Sequence, residues 1–318
     1  MQRRQLLQAA MAVPAAWAVG QVSPYAAIAV DYTKPVPEAE GLTAYQRDGN
    51  IQVRLDNLPL LAYRASTSLK YPYFCPLNGP VSGLSLISES AEPYPHHRGL
   101  WLGCDPVNGG NYWADNGLES GQIRSMELQL AEKVPTQSSV VFTEKCVWSR
   151  IGSNPFHDQR RYVISVPDKQ HVFIDCGFLI TADETVSIKS AKHSFFALRA
   201  AADISPTYGG TLMNAAGGTG ADGTYGKPAA WCAYFGKRRM RSDVVEGIAI
   251  MNHPKNFGGN CPWFTRDYGH LSPSPLAFLD KPWTLAKGDS LELNYRVVLF
   301  AGTPEQAGLD SIYQRWVS

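Results

Sequence analysis

What the 318-residue chain lacks narrows its chemistry first. It has no GxSxG turn to present a serine nucleophile and no HExxH zinc helix. The glycine-rich stretch Gly209–Gly226 has neither the phosphate-loop order nor the GxGxxG order, so it reads as a surface loop and not as a nucleotide cradle. The cysteines Cys75, Cys104, Cys146, Cys176, Cys232 and Cys261 never fall as CxxC, which excludes zinc-knuckle and thioredoxin-type readings. Their even number leaves room for disulfides in an oxidising compartment without choosing a pairing. Charge is sparse, 18% of residues with a formal net charge of +1, and no polybasic patch stands out, so neither nucleic acid nor an anionic membrane surface is expected as a partner. No apolar run reaches the roughly 20 residues that cross a bilayer, so stable membrane insertion is not expected either.

At the N-terminus, Met1-Gln2-Arg3-Arg4-Gln5-Leu6-Leu7 gives a twin-arginine start, and Leu6 to Val19 is small, apolar and uncharged. That is the layout of a twin-arginine signal peptide. Small residues at Ala16-Trp17-Ala18 and Ala27-Ile28-Ala29 offer cleavage sites, and the second predicts a signal of residues 1–29 and a mature domain of residues 30–318. Its removal takes away Arg3 and Arg4, leaving 27 basic residues against 28 acidic ones. The expected location is periplasmic or secreted. Export of an already folded protein would leave some of the cysteines as plain buried thiols.

The rest of the chain reads as strands. Runs rich in Val, Ile, Leu and aromatics alternate with period two at 51–56, 61–65, 83–88, 126–130, 139–148 and 162–166. They continue at 171–180, 185–190, 195–200, 231–235, 247–252 and 290–300, separated by Gly, Pro, Asn and Asp clusters. Many strands with almost no helix predict an all-β fold, a large antiparallel β-sandwich in one domain. One C-terminal helix is expected: Thr303-Pro304-Glu305-Gln306 forms a capping signal, and Leu309, Ile312, Tyr313 and Trp316 then share a face suited to the outside of the sandwich.

Three clusters carry chemistry. The first, Pro93-Tyr94-Pro95-His96-His97-Arg98-Gly99-Leu100-Trp101 followed by Asp105, Asn108, Asn111, Tyr112 and Trp113, joins imidazoles, a guanidinium and aromatic rings, and Asp105, Asp115, Glu119 and Asp267 are the carboxylates near the clusters. Alternation sends His97 and Trp101 to one face and His96 and Arg98 to the other. The second runs from Asn252-His253-Pro254 to Pro262-Trp263-Phe264-Thr265-Arg266-Asp267-Tyr268-Gly269-His270, where Arg266 and Asp267 could equally be a structural ion pair. The third is Lys192-His193-Ser194-Phe195-Phe196-Ala197-Leu198-Arg199, whose end charges could simply mark solvated strand rims. Histidine exchanges protons near neutrality, arginine grips oxyanions with a fork, and tryptophan faces suit sugars. His97 and His253 are therefore the expected proton-transfer pair, with Lys192, Arg266 and Asp267 as further catalytic residues. Arg98, Trp101, Asn111, Trp113, Arg199, Trp263 and His96 are expected to bind substrate. Any cofactor is unknown; a divalent metal on His97, His253, His270 and Asp267 is the one candidate set.

Lys70-Tyr71-Pro72-Tyr73-Phe74, His96-His97-Arg98-Gly99-Leu100-Trp101, Asn252-His253-Pro254 and Pro262-Trp263-Phe264-Thr265-Arg266-Asp267-Tyr268-Gly269 together resemble a family of uncharacterised bacterial proteins labelled PmoA-like, domain of unknown function 6807. The label points to a methane monooxygenase subunit, an integral membrane protein, which the absence of spanning helices argues against. The resemblance implies a galactose-mutarotase-like sandwich and the company of sugar-transforming enzymes. The chain departs from the family pattern at His193, where a carboxylate is common, and at Gln159-Arg160-Arg161, which lacks an expected acid. The expected function is an exported carbohydrate-active lyase, hydrolase or isomerase acting on a small sugar or keto-glycoside by histidine acid–base chemistry. A non-catalytic carbohydrate-binding protein and a metal-dependent exported oxidoreductase are the alternatives, and a fold alone does not decide among them.

Overall fold

Across His171–Ala182, Val172, Ile174, Cys176, Phe178 and Ile180 are buried while Asp175, Gly177 and Leu179 face outward. The same period-two burial recurs in strand after strand, so each sheet must cover one face against a partner layer. The computed structural model describes residues 41–115, 117–131 and 139–318. The expected signal, residues 1–29, lies outside them.

The first strands are β1 (Leu42–Arg47), β2 (Asn50–Leu55), β3 (Leu58–Arg64), β4 (Tyr73–Leu77), β5 (Leu100–Asp105) and β6 (Gln122–Leu130). Next come β7 (Ser139–Arg150), β8 (Ser153–Asp168), β9 (His171–Ala182), β10 (Val186–Ile188), β11 (His193–Arg199) and β12 (Thr211–Asn214). The last are β13 (Trp231–Arg238), β14 (Arg241–Asn252), β15 (Trp263–Arg266), β16 (His270–Pro273), β17 (Trp283–Leu285) and β18 (Ser290–Ala301). They form two antiparallel eight-stranded sheets, one ordered β1-β2-β3-β4-β5-β11-β16-β15 and the other β12-β13-β14-β18-β9-β8-β7-β6, while β10 pairs with β17. The all-β sandwich expectation holds.

The sheets meet through aromatic rings. Phe196 of the first sheet stacks on Tyr295 of the second at 4.8 Å, and Phe74 meets Phe142 and Tyr162. Behind the second sheet, Leu309 and Ile312 of helix α2 (Leu309–Val317; a one-turn helix, Gly220–Thr224, precedes it as α1) pack on Trp231, Met251, Val298 and Phe300. The reciprocal capping bonds exist, Thr303 N to Gln306 Oε1 at 2.9 Å and Gln306 N to Thr303 Oγ1 at 3.3 Å, but they close a turn that leads into α2.

The segment 83–88, expected as a strand, makes only isolated bridges through Ser85 and Ile87. The loop before it is held by a side chain instead of a ladder: the buried Glu246 carboxylate accepts the Val81 and Ser82 N–H groups at 2.7 and 2.8 Å.

Inside the sandwich, Arg160 grips Asp158 with two bonds, Nε to Oδ1 at 2.6 Å and Nη2 to Oδ2 at 3.0 Å, and lies 3.6 Å from Glu144. Tyr63 OH donates to Glu144 and Trp148 Nε1 to Asp158, so the acids flanking Gln159-Arg160-Arg161 come from Asp158 and the neighbouring strand. Replacing only the cation strands two desolvated carboxylates. Arg160→Leu should therefore cost about 3–5 kcal/mol in urea unfolding, far more than a change at exposed Arg161.

All six cysteines are buried and free. Burial raises the thiols, Cys75 to about 11 and Cys261 to about 12. A thiol-reactive dye should thus find almost no thiol in the native protein and six after denaturation.

Candidate functional site

The outer face of the first sheet is decided by alternation. In β5 and β11, Leu102, Phe196 and Leu198 point to the shared core, which turns Trp101, His193, Ala197 and Arg199 outward. Arg199 lies opposite His270, and His270 opposite Arg266, so three neighbouring strands present arginine, histidine and arginine in one row. The chain segment before β5 folds back over this face. His97 stacks on Trp101 at 5.4 Å and approaches His270 at 4.7 Å. Its turn needs Gly99 (φ +66°), where a Cβ would collide with the Phe74 carbonyl oxygen.

This layer is dry. Burial pushes the His97 imidazole down to about 3, with further depression from His96 and Arg199, and burial drives His270 well below its ordinary value. Both rings are therefore neutral at physiological pH. Nδ1 of His97, both nitrogens of His270, the indole N–H groups of Trp101 and Trp113, and Nε and Nη1 of Arg199 have no hydrogen-bond partner among the described residues. Arg199 uses only Nη2, bonded to the Glu92 carbonyl at 2.6 Å, and lies over the Tyr268 ring. Burial also lowers the Arg199 guanidinium. Leaving so many donors unpaired is costly, and such groups gather where a protein has work for them.

Above the dry layer the surface opens. A cleft of about 340 Å³ is lined by Asp105, Lys192, His193, Tyr225 and Phe278. The His193 ring lies flat on Trp113, centroids 5.0 Å apart at 19°, and its Nδ1 is 3.8 Å from Asp105 Oδ2. Lys192 Nζ and the Arg266 guanidinium both pack on Phe264, at 5.5 and 4.4 Å, and Arg266 also covers Tyr225 at 4.5 Å. No carboxylate among the described residues pairs with Lys192, Arg199 or Arg266. Phe278 is 54% exposed and held at φ +61°, a conformation a bulky residue adopts only when its surroundings impose it.

The structure thus brings together His97, Lys192, Arg199 and Arg266 with Trp101 and Trp113. His96 and Arg98 flank them; Arg98 is engaged with Asp115 at 2.5 Å. Four expectations need correction. His253 does not join His97: it follows β14 in the second sheet, edge-on to Trp316 of α2 at 5.1 Å, on the opposite outer face. Trp263 is not on the cleft, because alternation along β15 gives that place to Phe264 and turns Trp263 into the core, its N–H bonded to Ala229 O at 2.9 Å. Trp101 and Trp113, each no more than 1% exposed, are a floor and not an open stacking surface. Asn111 builds its own turn by accepting the Trp113 and Ala114 N–H groups.

Asp267 does not pair with Arg266 but accepts the Ala221 N–H at 2.8 Å. Of the four candidate metal ligands only His97 and His270 lie together, and among the described residues no group of three or more His, Cys, Asp or Glu is arranged to hold a metal ion. Sequence reasoning gave no role to His193, Tyr225 or Phe278, and held Asp105 only as a candidate carboxylate near the first cluster. Of the three without a role, only His193 carried a signal, as the departure from the resembled pattern.

Residues 50–314 match the sequence model of a family of unknown function, DUF6807. No curated protein matches the chain. Among solved structures, a protein from Synechocystis sp. PCC 6803 is similar at 9% identity and a TM-score of 0.34, covering 85% of this chain and 98% of that one. A GalM/aldose epimerase homologue from C. elegans is similar at 10% identity and a TM-score of 0.30 (83% and 99%). A galactose mutarotase related enzyme from Lactobacillus acidophilus is similar at 10% and 0.32 (82% and 97%). Among the described residues no helix is long and apolar enough to cross a membrane.

The dry histidines make stability depend on pH. Each is harder to protonate folded than unfolded, so below about pH 6.5 the unfolded chain binds more protons. Their contribution is complete above that pH and is lost on acidification toward the folded His97 value of about 3, at up to about 1.4 kcal/mol per pH unit for each ring. Melting temperature should fall with acid between these limits, and His97→Gln should flatten the slope. An unchanged slope would show that His97 is not desolvated.

Proposed function

The chain belongs to the DUF6807 family, and we propose that it is a carbohydrate-active enzyme working by acid–base chemistry in the cleft on the first sheet. The observation that carries this reading is the placement of His193: flat on Trp113, facing Asp105, at a cleft that also holds Lys192. Imidazole is the side chain suited to take and return a proton near neutrality, and a carboxylate beside it steadies the cation that forms. Phe278 and Tyr225 supply the apolar faces a pyranose ring needs. Lys192 and Arg266, with no carboxylate partner among the described residues, suit an oxyanion.

With a keto-glycoside the steps balance without an oxidant. His193 takes the proton from the carbon beside the ketone, and the electron pair moves to the carbonyl oxygen, where Lys192 or Arg266 meets the charge. Collapse of the enolate re-forms the ketone and expels the alkoxide from the next carbon, which receives the proton from His193. The product is an unsaturated ketone and a free alcohol, so the activity is that of a lyase. His97, neutral and sealed below, serves as a fixed support and not as the proton carrier. The small carbohydrate is the one partner this reading requires. Arg3-Arg4 and the apolar run after them support action outside the cytoplasm on a mature domain of residues 30–318. A methane monooxygenase role, suggested by the PmoA-like label, forms no part of it.

An aryl keto-glycoside with a chromogenic leaving group tests the proposal. His193→Ala should lower kcat by about 10²–10⁴-fold, whereas Phe278→Ala should act mainly on KM. Wild-type turnover in His193→Ala, or no turnover by the unaltered protein, overturns it.

A further inference from the structure

On the opposite outer face, the second sheet carries a row of side chains fixed by strand register. Gln129 faces Thr143, Thr143 faces Arg161, Arg161 faces Gly177, and Gly177 faces Asn294 across five consecutive strands. The row ends at His253, whose N–H bonds to the Asn294 carbonyl. At strand spacing, Gln129 to Asn294 spans about 19 Å. Because Gly177 has no side chain, the row is a trough. Two cavities of about 490 and 270 Å³ lie along it and share Arg161, Gly177 and Asn294. Trp316 of α2 stands beside His253 at the end away from Gln129.

We propose that this trough is a second carbohydrate site, binding a neutral oligosaccharide laid across the strands. Gln129, Thr143 and Gln159 each offer both a donor and an acceptor, as a polyhydroxyl ligand does, and Asn294, whose Nδ2 donates to Glu292 at 3.0 Å, adds its Oδ1 as an acceptor. Charges of both signs line the walls: Lys145 is paired with Glu127 at 2.8 Å, and Arg161 and Glu292 both line the larger cavity, so no excess of one sign favours an ionic ligand over a neutral one. An extended peptide would seek an open sheet edge, whereas this trough runs across the strands from the edge strand β6, where Gln46 already bonds Leu128 O and Leu130 N, to β18, whose backbone is paired on both sides. Phe178 and Tyr295 also line the cavities but are buried, so among the described lining residues Trp316 provides the accessible aromatic surface at the end of the path. The site stands apart from the proposed enzyme cleft, and neither depends on the other.

The full chain should be titrated calorimetrically with cellohexaose, maltohexaose and xylohexaose, each also against Gly177→Gln and Arg161→Ala. At least one hexasaccharide should bind the unaltered protein, and Gly177→Gln, which refills the trough from an exposed strand position, should weaken it by about tenfold or more. Arg161→Ala should weaken the same ligand, while His193→Ala, in the other cleft, should leave it unchanged. Gly177→Gln should keep the native melting temperature, because a Cβ there meets only Asn294 Oδ1, at 3.3 Å, and the Arg161 carbonyl, at 3.9 Å. Failure of all three sugars to bind overturns the proposal, as does binding that survives both substitutions or is lost only with His193.

Discussion

A strand in a two-layer stack can give the common core only every second side chain, and this constraint determines where everything else in the molecule lies. Once Phe196, Leu198 and Leu102 are committed to the partner sheet, His193, Arg199 and Trp101 must face the other way. Once Phe178 and Tyr295 are committed from the second sheet, Gly177 and Asn294 must face outward on the far side. The core therefore sorts the polar residues into two outer faces without any polar interaction having to choose between them.

The two faces are then treated differently. The first is roofed by the segment carrying His97, so its polar groups lose water without gaining partners. Burial keeps His97 and His270 uncharged, and a buried Arg199 sits over Tyr268 with a single bond to Glu92. Only the well-packed sandwich beneath can bear such a layer, since unpaired buried donors oppose folding. The second face stays wet. Its charges pair at the surface, as Lys145 with Glu127 and Arg296 with Asp175 do, and they impose little on the fold.

Much of this was legible in the sequence, for a physical reason. Alternation is local, so the strands, the sandwich and the outward turn of His193 and Arg199 follow from reading every second residue. The convergence of Lys192 with Arg266 was approachable because both belong to motif-rich segments. Pairing His97 with His253 failed because strand neighbours are not chain neighbours: β14 hydrogen-bonds to β13 and β18 of the second sheet, and nothing within Asn252-His253-Pro254 encodes that choice. Trp263 failed by one residue, because the register that puts Phe264 opposite Ser272 is fixed by the partner strand. Phe278 was unreadable, since its exposure rests on a backbone conformation that only the folded loop imposes.

The dry layer also bears on how a reaction in the cleft would be controlled. A base must be held still relative to the bond it attacks, and a flexible imidazole on a loop would pay that cost at every turnover. His193 begins β11 and rests on Trp113, which is itself wedged against Trp101, His97 and His270. None of these supports can titrate near neutrality, so the floor beneath the His193 ring keeps one charge state across that range. Charging His97 would set a cation against the Arg199 guanidinium and disturb the stack; its desolvation prevents this. The burden that the sandwich carries in unpaired donors is, on this view, what keeps the working histidine fixed.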